Sequence, residues 1–144
     1  MRTKEFLRRL EHDQIVQAIR DAESKTSGQI RVFIQRGKLK VDPLIAARKK
    51  FQRLGMRKTP ERNAVLIFVA PRAHKFAVIG DEGIHQRCGE QYWQRVVDLM
   101  RDHFRNERFS DALVDAIRDI GGVLASHFPK RSTSADLPNE IIED

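Results

Sequence analysis

A chain of 144 residues is one domain by length, long enough to bury about two-thirds of its unfolded surface. Its 40% hydrophobic and 33% charged residues describe an ordinary globular protein, and the single cysteine excludes an internal disulfide. No apolar run approaches the roughly 20 residues of a membrane helix, and the opening "MRTKEFLRRLEHD" lacks the uncharged stretch of a signal peptide, so the expected location is the cytoplasm.

The formal charge of +7 is unevenly spread. Between Arg31 and Arg62 stand eleven Lys or Arg against Asp42 and Glu61, a net +9, so the rest of the chain is slightly acidic. Such a segment steers a protein toward RNA, DNA or an anionic lipid surface, or serves only as a solvated helix face. It carries no recognition motif and no interleaved aromatics for base stacking, so nucleic acid is not the expected partner.

Phe6, Leu7, Leu10, Ile15, Ala18, Ile19 and Ala22 recur at intervals of three and four, which predicts one amphipathic helix from about Lys4 to Lys25. Thr26-Ser27-Gly28 stops it. "QIRVFIQR" is rich in β-branched residues and reads as a strand. Asp42-Pro43 opens the next helix, a cap followed by proline at the first helical position, with Leu44, Ala47, Phe51 and Leu54 on its apolar stripe. "NAVLIFVA" is an unbroken apolar run, the mark of a strand covered on both faces. Pro71-Arg72-Ala73-His74 turns the chain into the strand "KFAVIG". Tyr92, Trp93, Val96, Val97, Met100 and Phe104 mark another helix, with Tyr92 and Trp93 expected in the core. Ser110 is the expected cap of the last helix, whose stripe runs from Leu113 to Phe128 before Pro129. The domain is thus expected over residues 1–129, with a polar tail over 130–144.

A strand–helix–strand unit implies a parallel pair with a right-handed crossover, and the short turn at Pro71 implies an antiparallel third strand. The predicted fold is a three-layer α/β/α sandwich with a small mixed sheet and helices on both faces. That order brings Thr26-Ser27-Gly28-Gln29, Glu61-Arg62-Asn63 and Gly80-Asp81-Glu82-Gly83 to one edge of the sheet, with Glu23 close by.

This cluster holds the candidate chemistry. Glu23, Asp81 and Glu82, with the amide oxygen of Asn63 or Gln29, are hard oxygen donors of the kind that bind Mg²⁺ or Ca²⁺. A cation there would hold a phosphate with Arg62 as its bidentate partner, and Asp81 and His85 are the candidates for catalysis. Alternatively, Asp81 and Glu82 cap the following turn and pair with Arg62, and His85 is an ordinary surface or capping residue. Thr26, Ser27, Gln29, Arg62 and Asn63 complete the candidate binding set. Cys88 has no second cysteine or closely spaced histidine, which argues against zinc.

"AIRDAESKTSGQIRVFI", "ERNAVLIFVA" and "HKFAVIGDEGIHQRCGEQYWQRVVDLMRDHFRNERFSDAL" resemble, in order and spacing, the TPM-domain family in its small soluble bacterial branch. The resemblance runs from about Phe6 to Phe128, and "DLPNEI" is similar to a tail of that branch. It implies an α/β sandwich, divalent-cation binding, phosphatase activity for some members and accessory roles in membrane-complex assembly for others. The chain departs from the family pattern at Gln29, where a glutamate is usual, and at Arg72-Ala73-His74, where acids are common. Gly80-Asp81-Glu82-Gly83-Ile84 likewise stands in place of a GYGLE-type loop.

Two functional classes follow. One is a metal-assisted phosphatase acting on a small phosphorylated ligand. The other is a non-catalytic module that docks a protein or anionic partner through the basic segment or the acidic "ADLPNEIIED".

Overall fold

The computed structural model describes residues 2–130; the predicted tail therefore lies outside the described residues except for Lys130. Helices α1 (Thr3–Arg9) and α2 (His12–Glu23) lead into strand β1 (Gln29–Ile34). Helix α3 (Pro43–Arg53) and a 3-10 turn (Met56–Lys58) connect it to β2 (Ala64–Ala70). A second 3-10 turn (Pro71–Ala73) gives β3 (Lys75–Gly80), followed by the long helices α4 (Glu82–Arg105) and α5 (Phe109–His127).

The sheet order is β1-β2-β3. β1 runs parallel to β2 in the register Gln29 to Ala64 through Ile34 to Val69, and β3 returns antiparallel, Val65 facing Gly80 and Ala70 facing Lys75. This is the mixed sheet expected from the order of elements. Alternate residues of β2 serve two cores. Val65, Ile67 and Val69 pack with α1, α2, α4 and α5, while Ala64, Leu66, Phe68 and Ala70 face α3 and the turn after it. Every residue of β2 is buried, which explains why its sequence is apolar without alternation.

Three local expectations are corrected. The first helix is two: Leu10 is extended (φ −83°, ψ 137°), and the Glu11 amide donates to Ser110 Oγ at 2.8 Å. Ser110 therefore does not cap α5, whose cap position is Arg108; its hydroxyl accepts from the start of α2 instead. On α3, Ala47 and Phe51 are buried, but Leu44 is 39% exposed and stands beside Ile45 (48%) and Val41 (42%). The buried stripe is therefore narrower than the spacing suggests.

α4 begins at Glu82, immediately after β3, so there is no open loop from Gly80 to Gly83. Asp81 is its cap, accepting from the Glu82 amide at 2.8 Å. Gly89 interrupts it with a backbone (φ 76°, ψ 169°) that L-residues avoid. Tyr92 and Trp93 lie in the core as expected, with Trp93 pressed on Gly80, where an added Cβ would stand 2.2 Å from its Cζ2.

The junction of α2 and β1 is fastened to the C-terminal end of the described chain. Thr26 Oγ1 donates to the Phe128 carbonyl (2.5 Å) and accepts from the Gly28 amide (3.0 Å). The Ser27 amide also reaches Phe128, and the Lys130 amide donates to the Lys25 carbonyl. Thr26 is 2% exposed because it closes this clasp.

Candidate functional site

The strand starts of β1 and β2 and the end of β3 do share one sheet edge, and the sequence-predicted residues divide there into two groups. The first is a corner of Ser27, Glu61 and Asn63. Asn63 Nδ2 donates to Ser27 Oγ at 3.0 Å, and Ser27 Oγ lies 3.2 Å from Glu61 Oε1. The Asn63 backbone is held by Thr59 Oγ1 (3.1 Å), so the side chain is fixed from both directions. Asn63 is 1% exposed, yet its Oδ1 has no hydrogen-bond partner. An orphaned buried acceptor costs about 1–3 kcal/mol and calls for an explanation.

The second group is Arg62 with Asp81 and Glu82. Arg62 Nε and Nη2 donate to Asp81 Oδ2 and Oδ1 at 2.7 and 2.8 Å, the two-point geometry that suits guanidinium and carboxylate. Its Nη1 lies 3.6 Å from Glu82 Oε2. The hydrogen bond to Asp81 raises the Arg62 pKa further, so the cation is permanent. Arg62 adopts a left-handed backbone (φ 52°), and its carbonyl accepts from the amides of Gly83 (2.8 Å) and Ile84 (3.3 Å). The connection before β2 is thereby bonded to the first turn of α4.

Glu23 stands apart from both. Its Oε2 accepts from the Ile30 amide at 2.9 Å, and burial raises its pKa despite that bond and the nearby Arg31 and Lys130. Glu23 is bonded to β1 and Asp81 follows β3, strands two spacings or roughly 10 Å apart. Among the described residues no group of three or more His, Cys, Asp or Glu is arranged to hold a metal ion. Gln29 opens β1 opposite Ala64, and Thr26 is taken up by the clasp. His85 Nδ1 accepts from Trp93 Nε1 at 3.0 Å, which leaves Nε2 facing Glu90 at 3.8 Å. Cys88 is half-buried, and burial pushes its thiol pKa up, away from nucleophilic thiolate.

Chemically, the Arg62–Asp81 pair is self-satisfied: the guanidinium edge a phosphate would take is already occupied. Glu61, the Asn63 amide oxygen and the exposed Glu82 are acceptors at this edge with capacity to spare. Sequence reasoning brought Glu61 and Asn63 to this edge but gave Glu61 no role; its contact with Ser27 Oγ is seen only in the structure.

The chain matches the TPM domain model over residues 1–123. It is similar to the BA42 protein of the psychrophilic bacterium Bizionia argentinensis, with 35% identity and a TM-score of 0.75 over 84% of this chain and 85% of that one. The N-terminal domain of the cg2496 protein of Corynebacterium glutamicum shares the fold at 16% identity, with a TM-score of 0.62 over 92% of this chain and 80% of that one. No curated protein matches the chain. The match over most of its length and the shared architecture establish that the chain belongs to the TPM-domain family.

Proposed function

We propose that the protein is a non-catalytic docking module that holds an acidic protein partner against the exposed side of α3. One observation carries the reading: the +9 segment from Arg31 to Arg62 is built around a helix whose outward residues are Leu44, Ile45, Arg48, Lys49 and Arg53. Val41, Leu44 and Ile45 supply adjoining apolar surface, so the face offers both charge attraction and a contact that excludes water. At the sheet edge the Arg62 guanidinium is taken up by Asp81 and Glu82, which supports a role in fixing the fold there.

The test is titration with poly-L-glutamate as a model acidic partner. Binding should weaken steeply between low and high salt as the Debye length contracts from about 10 Å at 0.1 M to about 3 Å at 1 M. The double reversal Arg48→Glu/Lys49→Glu should bind at least tenfold more weakly. Equal binding by wild type and variant would overturn the reading.

A second reading is favoured by the unpartnered Asn63 Oδ1. In it the Ser27–Glu61–Asn63 corner holds Mg²⁺ or Ca²⁺ through hard oxygens, and a phosphatase-like activity draws on that ion. Glu23, Asp81 and Glu82 would support the site from the surrounding edge. Saturable amide shifts confined to Ser27, Glu61 and Asn63 on adding either cation are the expected result. Absence of a localised shift at millimolar metal removes it.

A further inference from the structure

At the opposite end of the sheet lies a cavity of about 470 Å³, walled by the end of β2, the start of β3, α1, and the corner between α4 and α5. Its size falls within the roughly 300–1,000 Å³ of small-ligand pockets. It also lies at the C-terminal end of β2, where open α/β sheets place their ligands. None of the residues discussed for the site above lines it.

Four phenylalanines form its apolar part. Phe104 is the hub, its ring 5.1 Å from Phe76, 6.1 Å from Phe109 and 6.3 Å from Phe6. Phe6 and Phe109 are buried, whereas Phe76 and Phe104 are only half-buried and present ring surface to the cavity. Lys75, Arg101 and Arg105 stand among the lining residues. Arg101 holds its guanidinium 5.9 Å from the Phe76 ring centroid and pairs with exposed Asp98 on the preceding turn. The single acid of the lining, Glu107, has its carboxylate 3.5 Å from Arg9. The rim is therefore cationic above an aromatic floor.

The rim is also held in place. His74 (φ 55°) and Glu107 (φ 56°) are two of the three non-glycine residues with left-handed backbone among the described residues, and both line the cavity. Such conformations persist where the surrounding structure imposes them. Here the 3-10 turn Pro71–Ala73 and the corner after α4 do so, through His74 N to Pro71 O and Glu107 N to Phe104 O, both 3.1 Å.

We infer that this cavity binds a free anionic amphiphile: a small carboxylate whose hydrocarbon or aromatic body lies among Phe76, Phe104 and Phe109 while its head group meets Arg101, Arg105 and Lys75. A neutral molecule of the same shape offers no charge to Arg101, Arg105 and Lys75, and an inorganic anion leaves the rings wet. The pairing of floor and rim selects the combination.

Sodium decanoate below its micelle concentration is the probe, with decanol as its neutral counterpart and phosphatidylglycerol vesicles as the membrane source of the same chemistry. Decanoate should give saturable amide shifts at Val69, Phe76, Phe104 and Phe109. Binding should be at least tenfold weaker for decanol and for Arg101→Gln/Arg105→Gln, whose exposed side chains leave the rest of the spectrum unchanged. Three results would each overturn the assignment: no saturable shift at these residues, equal affinity for decanol, or undiminished binding by the double variant. Vesicle binding without decanoate binding would likewise overturn it, in favour of a membrane surface.

Discussion

Replacing Gly83 by alanine should destabilise the protein, although the site is helical and alanine is the better helix former by up to about 1 kcal/mol. A Cβ at Gly83 would stand 2.1 Å from the Glu61 carbonyl oxygen and 2.7 Å from that of Arg62, both backbone atoms. Ordinary contact requires the first turn of α4 to retreat by more than 1 Å (roughly; carbon contacts settle near 3.5 Å). That retreat breaks the bonds from Gly83 N and Ile84 N to the Arg62 carbonyl. Each contributes about 1 kcal/mol, and the forced overpacking adds about 1–3 kcal/mol. After the propensity gain the net loss is about 2–4 kcal/mol, or a fall in Tm of roughly 8–16 °C for a chain of this size. Gly122 supplies the internal control. It lies inside α5 with nothing within 4 Å of its added Cβ, so Gly122→Ala should raise Tm by about 2–4 °C. Thermal unfolding by circular dichroism reads both. If Gly83→Ala melts within 2 °C of wild type (a margin of about 0.5 kcal/mol), the close packing of α4 on the Glu61–Arg62 backbone is wrong.

Two further predictions concern ionisation. Burial raises the Glu23 pKa, so the native state takes up a proton more readily than the unfolded chain. The associated stability is fully present below the ordinary glutamate range and is lost as pH rises through the native value. Urea midpoints of wild type relative to Glu23→Gln should therefore rise as pH falls from 7 to 4 (the window about the usual glutamate pKa); a constant or shrinking difference counts against it. Tyr92, the sole tyrosine, donates to Asp119 Oδ2 at 2.6 Å, and burial followed by that hydrogen bond pushes its pKa far upward. Absorbance at 295 nm should stay flat through the ordinary phenol range near pH 10 and rise only when alkali unfolds the chain. A normal titration of the folded protein would refute the buried bond.

The sheet was readable because its signals are local and strong. The apolar run of Ala64–Ala70 needs cover on both faces, and Pro71 with His74 leaves room only for a tight reversal. Convergence of Ser27, Asn63 and Asp81 then follows from strand direction alone. What sequence could not supply was the partner of each polar atom. Periodicity carries Phe6 to Ala22 as one helix because the break at Leu10–Glu11 depends on a hydroxyl 99 residues away, at Ser110. The same holds for Arg62. Its charge suggests a phosphate partner until the geometry shows both edges of its fork turned to Asp81 and Glu82. The cavity was hidden for a related reason: Phe6, Phe76, Phe104 and Phe109 come from four elements, and each looks like ordinary core in its own segment.

The clasp between Thr26 and Phe128 bears on the order in which the chain acquires its structure. The β2–β3 pair closes over a short reversal, whereas β1 must wait for the α3 crossover before it meets β2, so loop entropy favours the hairpin first. The junction of α2 and β1 waits longest, since its buried threonine finds its acceptor 102 residues downstream. A growing chain on the ribosome therefore carries Thr26 with no native acceptor until α5 has emerged. The N-terminal helices, made first, are among the last parts to be locked.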